Sequence, residues 1–247
     1  MRAMILAAGL GTRLKPLTDN TPKALLKIKD KTLLELQIKK IKSAGIREIV
    51  INVHHFADMI TEFLEQNKLF DCSIEISDET EKLLDTGGGL KKASAFFSDG
   101  KPFLLQNVDI LSNINLNLLT ASHNSSTSLA TLAVQDRKSL RKILFNNEMI
   151  FSGWMNEKSG ERIISRIQNS EFISRSFSGI QIVDPTIFKY FPDKDVFSLI
   201  ELYLNAAKNE KIVGYDHSSD EWLDLGKVEN LNTAEKLFDR IRNTYQV

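Results

Sequence analysis

The chain has 247 residues, 42% of them hydrophobic and 26% charged, with 32 Lys plus Arg against 32 Asp plus Glu. That length buries an apolar core without disulfide or metal staples, and the ordinary composition excludes a disordered or membrane-embedded chain. The even charge balance provides no general field for nucleic acid or an anionic membrane surface, so any anion site has to be local.

Met1 to Gly9 is too short an apolar stretch for a signal-peptide core or a membrane span, and a cytoplasmic location is expected. Residues 3–8 form a continuous apolar run broken by Gly9-Leu10-Gly11, the pattern of a parallel strand buried on both faces. Glycines directly after a strand let backbone N–H groups approach phosphate oxygens, and Arg13 adds a forked, charge-assisted contact. Taken alone, the glycine pair equally describes an empty tight turn. A dinucleotide-binding turn is the rival, with Asp30 near the spacing of its ribose acid. Its third glycine would fall on Leu14, however, and Pro16 and Pro22 interrupt the long helix that such a turn needs. Residues 15–23 therefore read as an extended loop able to fold over a triphosphate, with Pro22 setting a rigid turn ahead of Lys23.

Thr32 and Glu35 have capping-box spacing, Leu34, Ile38 and Ile41 share a face, and Gly45 supplies a stop, which predicts a helix from Thr32. A buried strand follows at 48–53, then a helix at 57–65 and a strand at 73–77, where Cys72 lies beside an alternating run as a buried structural thiol. In Thr86-Gly87-Gly88-Gly89 the missing side chains would let a flat base or ribose lie against the backbone before a helix that starts at Gly88; as loop punctuation alone the run means little. A strand at 102–106 closes this half. Its alternation of strand and helix predicts a parallel sheet with helices on both faces.

Asp109 lies just past that strand, at the carboxyl end where open parallel sheets bind ligands, and a carboxylate beside phosphates is a natural magnesium ligand. Beyond Asn107 the pattern changes to strands with few helices: 128–134, 142–145, 149–151, 162–167 and 179–183. Arg137-Lys138 with Arg141-Lys142 reads as a solvated turn, His54-His55 lacks partner acids at metal spacing, and Trp154 and Trp222 read as packing residues. Helices are predicted at 198–207 and 232–241. Between them, Trp222-Leu223-Asp224-Leu225-Gly226 offers a second acid at the end of a short apolar stretch; singly, either aspartate is also an ordinary turn or cap residue.

In this order, Ala7-Ala8-Gly9-Leu10-Gly11-Thr12-Arg13-Leu14, Pro16-Leu17-Thr18, Pro22-Lys23, Asp85-Thr86-Gly87-Gly88-Gly89, Phe177-Ser178-Gly179-Ile180 and Trp222-Leu223-Asp224-Leu225-Gly226 resemble the sugar-1-phosphate nucleotidylyltransferase family. Within it the likeness is to the bacterial N-acetylmuramate 1-phosphate uridylyltransferases, over nearly the whole chain and least from Ser112 to Glu171. The resemblance implies a Rossmann-like α/β fold, with a mostly parallel central sheet, helices on both faces and additional antiparallel strands in the second half. It implies one catalytic domain over residues 1–247.

It further implies that Gly9, Gly11, Thr12 and Arg13 hold the triphosphate, that Lys23 neutralises it, and that Asp109 and Asp224 hold Mg2+. Ala7, Ala8 and Asn107 complete the nucleotide-binding set, and Ala7, Glu79 and Gly88 would read the base, uracil first and guanine second. The expected partners are a nucleoside triphosphate and a sugar 1-phosphate, with neither nucleic acid nor membrane. An oxygen of the sugar phosphate would attack the α-phosphate in line and expel pyrophosphate, a step that needs alignment and charge neutralisation rather than a covalent intermediate.

The chain departs from the family pattern at Val108, where a glycine is usual, at Lys227, where a threonine is common, and in having no Glu-Lys-Pro triplet. Arg162 and Arg166 are the candidates left for the acceptor phosphate. No hexapeptide repeat follows the last helix, as in catalytic-domain-only members. Other readings stay open: a mannose-1-phosphate guanylyltransferase, a phosphocholine-type cytidylyltransferase, or a catalytically silent nucleotide sensor.

Overall fold

The computed structural model describes residues 1–166 and 171–245. The chain divides into two compact units, one of Met1–Asp85, Leu105–Ile114 and Asp220–Val247, the other of Thr86–Leu104 and Asn115–Ser219.

In the first unit the opening apolar run becomes β1 (Ala3–Leu6), buried at every residue. A small antiparallel pair follows, β2 (Lys27–Ile28) with β3 (Lys31–Thr32). Helix α1 (Leu33–Ser43) starts where expected because the Thr32 side chain accepts the Glu35 N–H at 3.1 Å, and Gly45 ends it at φ +82°. Then come β4 (Glu48–Val53), α2 (Ala57–Gln66) and β5 (Ser73–Asp78). Strands β1 and β4 run parallel with Ala3 opposite Ile49, and β4 and β5 run parallel with Ile49 opposite Ile74. Strand β6 (Phe103–Asn107) lies on the other side of β1, in the order β6-β1-β4-β5. Cys72 is buried, and burial raises its thiol above the usual range.

Two short strands that the sequence pattern does not announce, β7 (Ile110–Ser112) and β14 (Trp222–Asp224), form a separate antiparallel ribbon in the same unit. Helix α6 (Leu231–Ile241) and a final 3-10 turn, Arg242–Tyr245, complete it.

The second unit opens with α3 (Asp85–Ala93), which begins three residues ahead of the expected start at Gly88. Helix α4 (Leu116–Ser126) was not expected: its polar stretch lacks a clear apolar stripe, and it is set by Asn115, whose side chain accepts the N–H groups of Asn117 and Leu118. Strands β8 (Ala130–Gln135), β9 (Arg141–Phe145), β10 (Phe151–Asn156), β11 (Arg162–Ile164) and β12 (Ile173–Val183) follow. Strand β12 pairs antiparallel with β8 and β9, β9 with β10, and β10 with β11. Helix α5 (Leu199–Ala206), capped by Ser198, leads to β13 (Ile212–Asp216), parallel to β8.

The expected strand at 149–151 is displaced. Met149 has φ +56° in a turn where the Asn146 side chain accepts from Glu148 and Ile150 N–H, so β10 begins only at Phe151. Of the strand expected at 162–167, Ile167 lies outside the described residues. The Arg137 to Lys142 segment is a solvated turn only in part: Lys138 and Arg141 are exposed, but Lys142 is buried and donates to the Arg137 carbonyl at 2.5 Å, while Arg137 donates to the Phe177 carbonyl at 2.7 Å. The fold class is the expected one, a mixed α/β fold with parallel strands in its core and helices around them. Among the described residues no helix is long and apolar enough to cross a membrane.

Candidate active site

The glycine loop leaves β1 in the first unit. Gly11 holds φ +64°, and a Cβ there would sit 2.9 Å from Thr18 Cγ2, so glycine is required both by the left-handed backbone and by the close approach of Thr18. The Gly11 carbonyl accepts from Thr18 Oγ1 at 2.9 Å and from Leu14 N–H at 2.8 Å, which curls Thr12–Leu14 into a 3-10 turn. Gly9 is exposed, and a Cβ there would meet nothing among the described residues within 4 Å, so its backbone is open to a ligand.

Ala7 and Ala8 are buried where β1 meets the loop. The Ala7 N–H is already given to Asn52 Oδ1 at 2.8 Å, and Asn52 Nδ2 donates to Glu79 Oε1 at 2.7 Å. The other Glu79 oxygen accepts the Leu84 N–H at 3.2 Å, and Glu79 is 1% exposed. The expected base-contacting carboxylate is thus a buried brace that reaches Ala7 through Asn52. Sequence reasoning passed over Asn52, although a polar residue inside the apolar run Ile49-Val50-Ile51-Asn52-Val53 was the available signal. Asn107 ends β6, half-buried.

Gly88 lies in the second unit, in the first half of α3 rather than at its start, and its N–H donates to the Phe197 carbonyl at 3.1 Å. A Cβ on neighbouring Gly87 would fall 2.5 Å from the Phe197 ring. Part of the glycine run is therefore explained by admitting Phe197.

The two acids meet on the β7–β14 ribbon. Asp109 directly precedes Ile110, and Asp224 is the β14 residue opposite Ile110. The Asp109 carbonyl accepts the Leu225 N–H at 2.9 Å, which ties the two carboxylate-bearing ends together. Lys23 Nζ pairs with Asp109 Oδ2, both side chains being largely buried. On the other acid, Gly226 N–H donates to Asp224 Oδ1 at 2.6 Å. A Cβ on Gly226 would lie 2.8 Å from both Arg13 Nη2 and Asp224 Oδ1, so this glycine lets the guanidinium reach over the turn.

Burial first, and then the Asp109 charge, raise the Asp224 carboxyl above its usual range, against the Gly226 N–H, Lys23 and Arg13. A hard cation would relieve that repulsion, and two carboxylates leave its remaining positions to water and phosphate oxygens. Among the described residues no group of three or more His, Cys, Asp or Glu forms a protein-only metal cage.

The acceptor candidates fare differently. Arg166 donates through Nε to the Ala207 carbonyl and through Nη2 to the Glu210 carbonyl at 2.7 Å, closing the end of α5. Arg162 stacks over the Phe172 ring at 4.5 Å. Val108 is buried with its N–H on the Leu6 carbonyl at 3.1 Å, and Lys227 pairs with Glu229 at 3.1 Å.

Residues 2–142 match the nucleotidyl transferase family. An N-acetylmuramate alpha-1-phosphate uridylyltransferase of Neisseria meningitidis serogroup B is 31% identical over 237 residues, 96% of this chain and 98% of that protein. One of the same description from Caulobacter vibrioides is 29% identical over 219 residues, 86% of each chain. Among solved structures, the UDP-glucose pyrophosphorylase of Acinetobacter baumanii has a TM-score of 0.76 at 18% identity, over 96% of this chain and 92% of that one. The inositol-1-phosphate CTP transferase of T. maritima has a TM-score of 0.76 at 17% identity, over 98% and 96%. A glycine loop fixed by Thr18, two acids joined on one ribbon with Lys23 and Arg13 against them, and a match over more than half the sequence lead to one conclusion: the chain belongs to the nucleotidyl transferase family.

Proposed function

We propose that this chain transfers uridine monophosphate from UTP to a sugar 1-phosphate, N-acetylmuramate 1-phosphate being the first candidate, and releases pyrophosphate. The observation that carries the proposal is the pairing of Asp109 and Asp224 across the β7–β14 ribbon, with Lys23 on one acid and Arg13 beside the other. The choice of uracil and of the muramate acceptor is supported by relatives of that description that align along most of both chains.

Asp109 and Asp224 would hold Mg2+, which when bound offsets charge on the phosphates and orients the α-phosphate. Lys23 and Arg13 would neutralise the departing pyrophosphate. The open backbone at Gly9 and the turn at Gly11 cradle the triphosphate, with Thr12, Ala8 and Asn107 around them. Asn52 and Glu79 fix the Ala7 backbone, so base choice is read against a rigid strand end rather than by a mobile carboxylate. The acceptor phosphate is ionised at neutral pH, and no residue has to remove a proton from the nucleophile. We place the activity in the cytoplasm.

Pyrophosphate release, measured with each nucleoside triphosphate against a panel of sugar 1-phosphates, tests the proposal. Turnover restricted to UTP with N-acetylmuramate 1-phosphate is expected. Turnover with GTP and mannose 1-phosphate, or with CTP and a phosphorylated amino alcohol, would reassign the substrates; nucleotide binding without turnover on any acceptor would make the chain a sensor.

A further inference from the structure

The β7–β14 ribbon has only two short strands, and an isolated pair of strands is marginal in water. The Asp109 carbonyl and Asn113 N–H bond across to Leu225 and Glu221, so the odd-numbered residues of β7 face β14. Ile110 and Ser112 consequently turn their backbone groups to the opposite side, where no strand lies among the described residues.

That outer edge is filled by side chains. Gln37 Nε2 donates to the Ile110 carbonyl at 2.7 Å, and Lys40, one turn further along α1, donates to the Ser112 carbonyl at 2.5 Å. The Tyr245 hydroxyl accepts the Ser112 N–H at 2.8 Å and donates to the Ser112 carbonyl at 3.1 Å. Gln37 is itself held by Gln106 Nε2 at 3.0 Å. Lys40 is 2% exposed, its ammonium 5.7 Å from the Tyr245 ring centroid, and burial pulls it down to about 7 against the opposing influence of Asp220. Burying an ammonium to bind one carbonyl costs more than a neutral donor would, so its retention points to a demand beyond packing.

We propose that Lys40 and Tyr245, with Gln37, are positioning residues that replace a third strand on β7 and hold Asp109 and Asp224 at the spacing a bound divalent cation requires. The inference rests on the magnesium reading of those two aspartates. Lys40 touches neither acid; it acts through Ser112, whose cross-strand partner Trp222 lies two residues before Asp224.

The test uses wild type, Lys40→Met, Lys40→Gln and Tyr245→Phe, with two readouts. Amide hydrogen exchange of the metal-free protein follows residues 109–113 and 221–225, with β4 as the internal control. Mn2+ binding in the presence of a non-hydrolysable UTP analogue is followed by electron paramagnetic resonance. Faster exchange confined to the ribbon is expected in Lys40→Met and Tyr245→Phe, together with Mn2+ affinity about tenfold weaker. Lys40→Gln, which keeps a donor, should recover part of both. If Lys40→Met does not fold, Tyr245→Phe, which keeps the ring, decides.

Ribbon exchange and Mn2+ affinity within about twofold of wild type overturn the proposal whatever happens to the melting temperature. Faster exchange with unchanged affinity overturns it too, because the brace then serves stability alone. Wild type that binds no Mn2+ with the nucleotide sinks the magnesium reading and the purpose given to the brace; loss confined to the variants cannot be confused with that result.

Discussion

The cations beside the two acids of the first unit and three cations of the second are used in opposite ways. In the first unit Lys23 rests on Asp109, and Arg13 lies over Gly226 where its charge acts on Asp224. In the second, Arg137, Lys142 and Arg166 spend donors on the carbonyls of Phe177, Arg137, Ala207 and Glu210. A cation bound to backbone carbonyls completes hydrogen bonds that the fold would otherwise leave open. A cation lying against a carboxylate can pass to a phosphate when the carboxylate takes up a metal ion. The distinguishing feature is a cation set beside a pair of largely buried acids, as Lys23 is, and residue type alone does not reveal it.

The largest effect should come from the acids. Asp109→Ala is expected to lower kcat by about a thousandfold, roughly 4 kcal/mol of barrier. The loss should appear in magnesium-dependent pyrophosphate release while the melting temperature stays close to wild type. An equal loss in Arg166→Ala, with the fold intact, would break the comparison between the units.

Glycines sharpen it next. Gly87→Ala drives a methyl against the Phe197 ring and should cost about 2 kcal/mol of stability by overpacking, read as a lower denaturant midpoint. Gly9→Ala meets nothing within 4 Å, so the free protein should be unchanged and any loss should show in the KM for nucleotide. If Gly87→Ala instead weakened nucleotide binding at constant stability, the glycine run would have its expected part in holding the base.

Arg166→Ala should destabilise by about 1–2 kcal/mol, through two carbonyls left without their donor. The KM for the sugar phosphate should not move. A raised KM at constant stability would return Arg166 to the acceptor site.

Much of the first unit was legible because its signals are local. The break after Ala8, the spacing of Thr32 and Glu35, and the acid following β6 each depend on a few neighbouring residues. What escaped depends on pairing between distant segments. Nothing within Ile110-Leu111-Ser112 announces a partner beyond residue 220, and Asn52 means something only once Ala7 and Glu79 lie on either side of it. In the second unit Arg166 looked like a phosphate ligand because the carbonyls it closes lie some forty residues onward, at Ala207 and Glu210. The polar α4 shows the same limit, since a helix with little apolar stripe has no period to read.

Lys40 supplies the last and smallest prediction. It sits on α1 one residue before Ile41, the one buried charge of a helix that also carries Glu35, Lys39 and Lys42, with Asp220 as the charge facing it and Tyr245 beside it. Its ammonium is held down to about 7 in the fold against 10.5 for an ordinary lysine, so between those values the unfolded chain binds more protons than the folded one. Stability must then rise with pH through that window, by about 1 kcal/mol from pH 7 to pH 8. Lys40→Met has no proton to release and should lack the rise. Urea midpoints of the two proteins, compared across that pH step, check it: parallel curves would mean that Lys40 stays charged in the fold and that Asp220 offsets its burial.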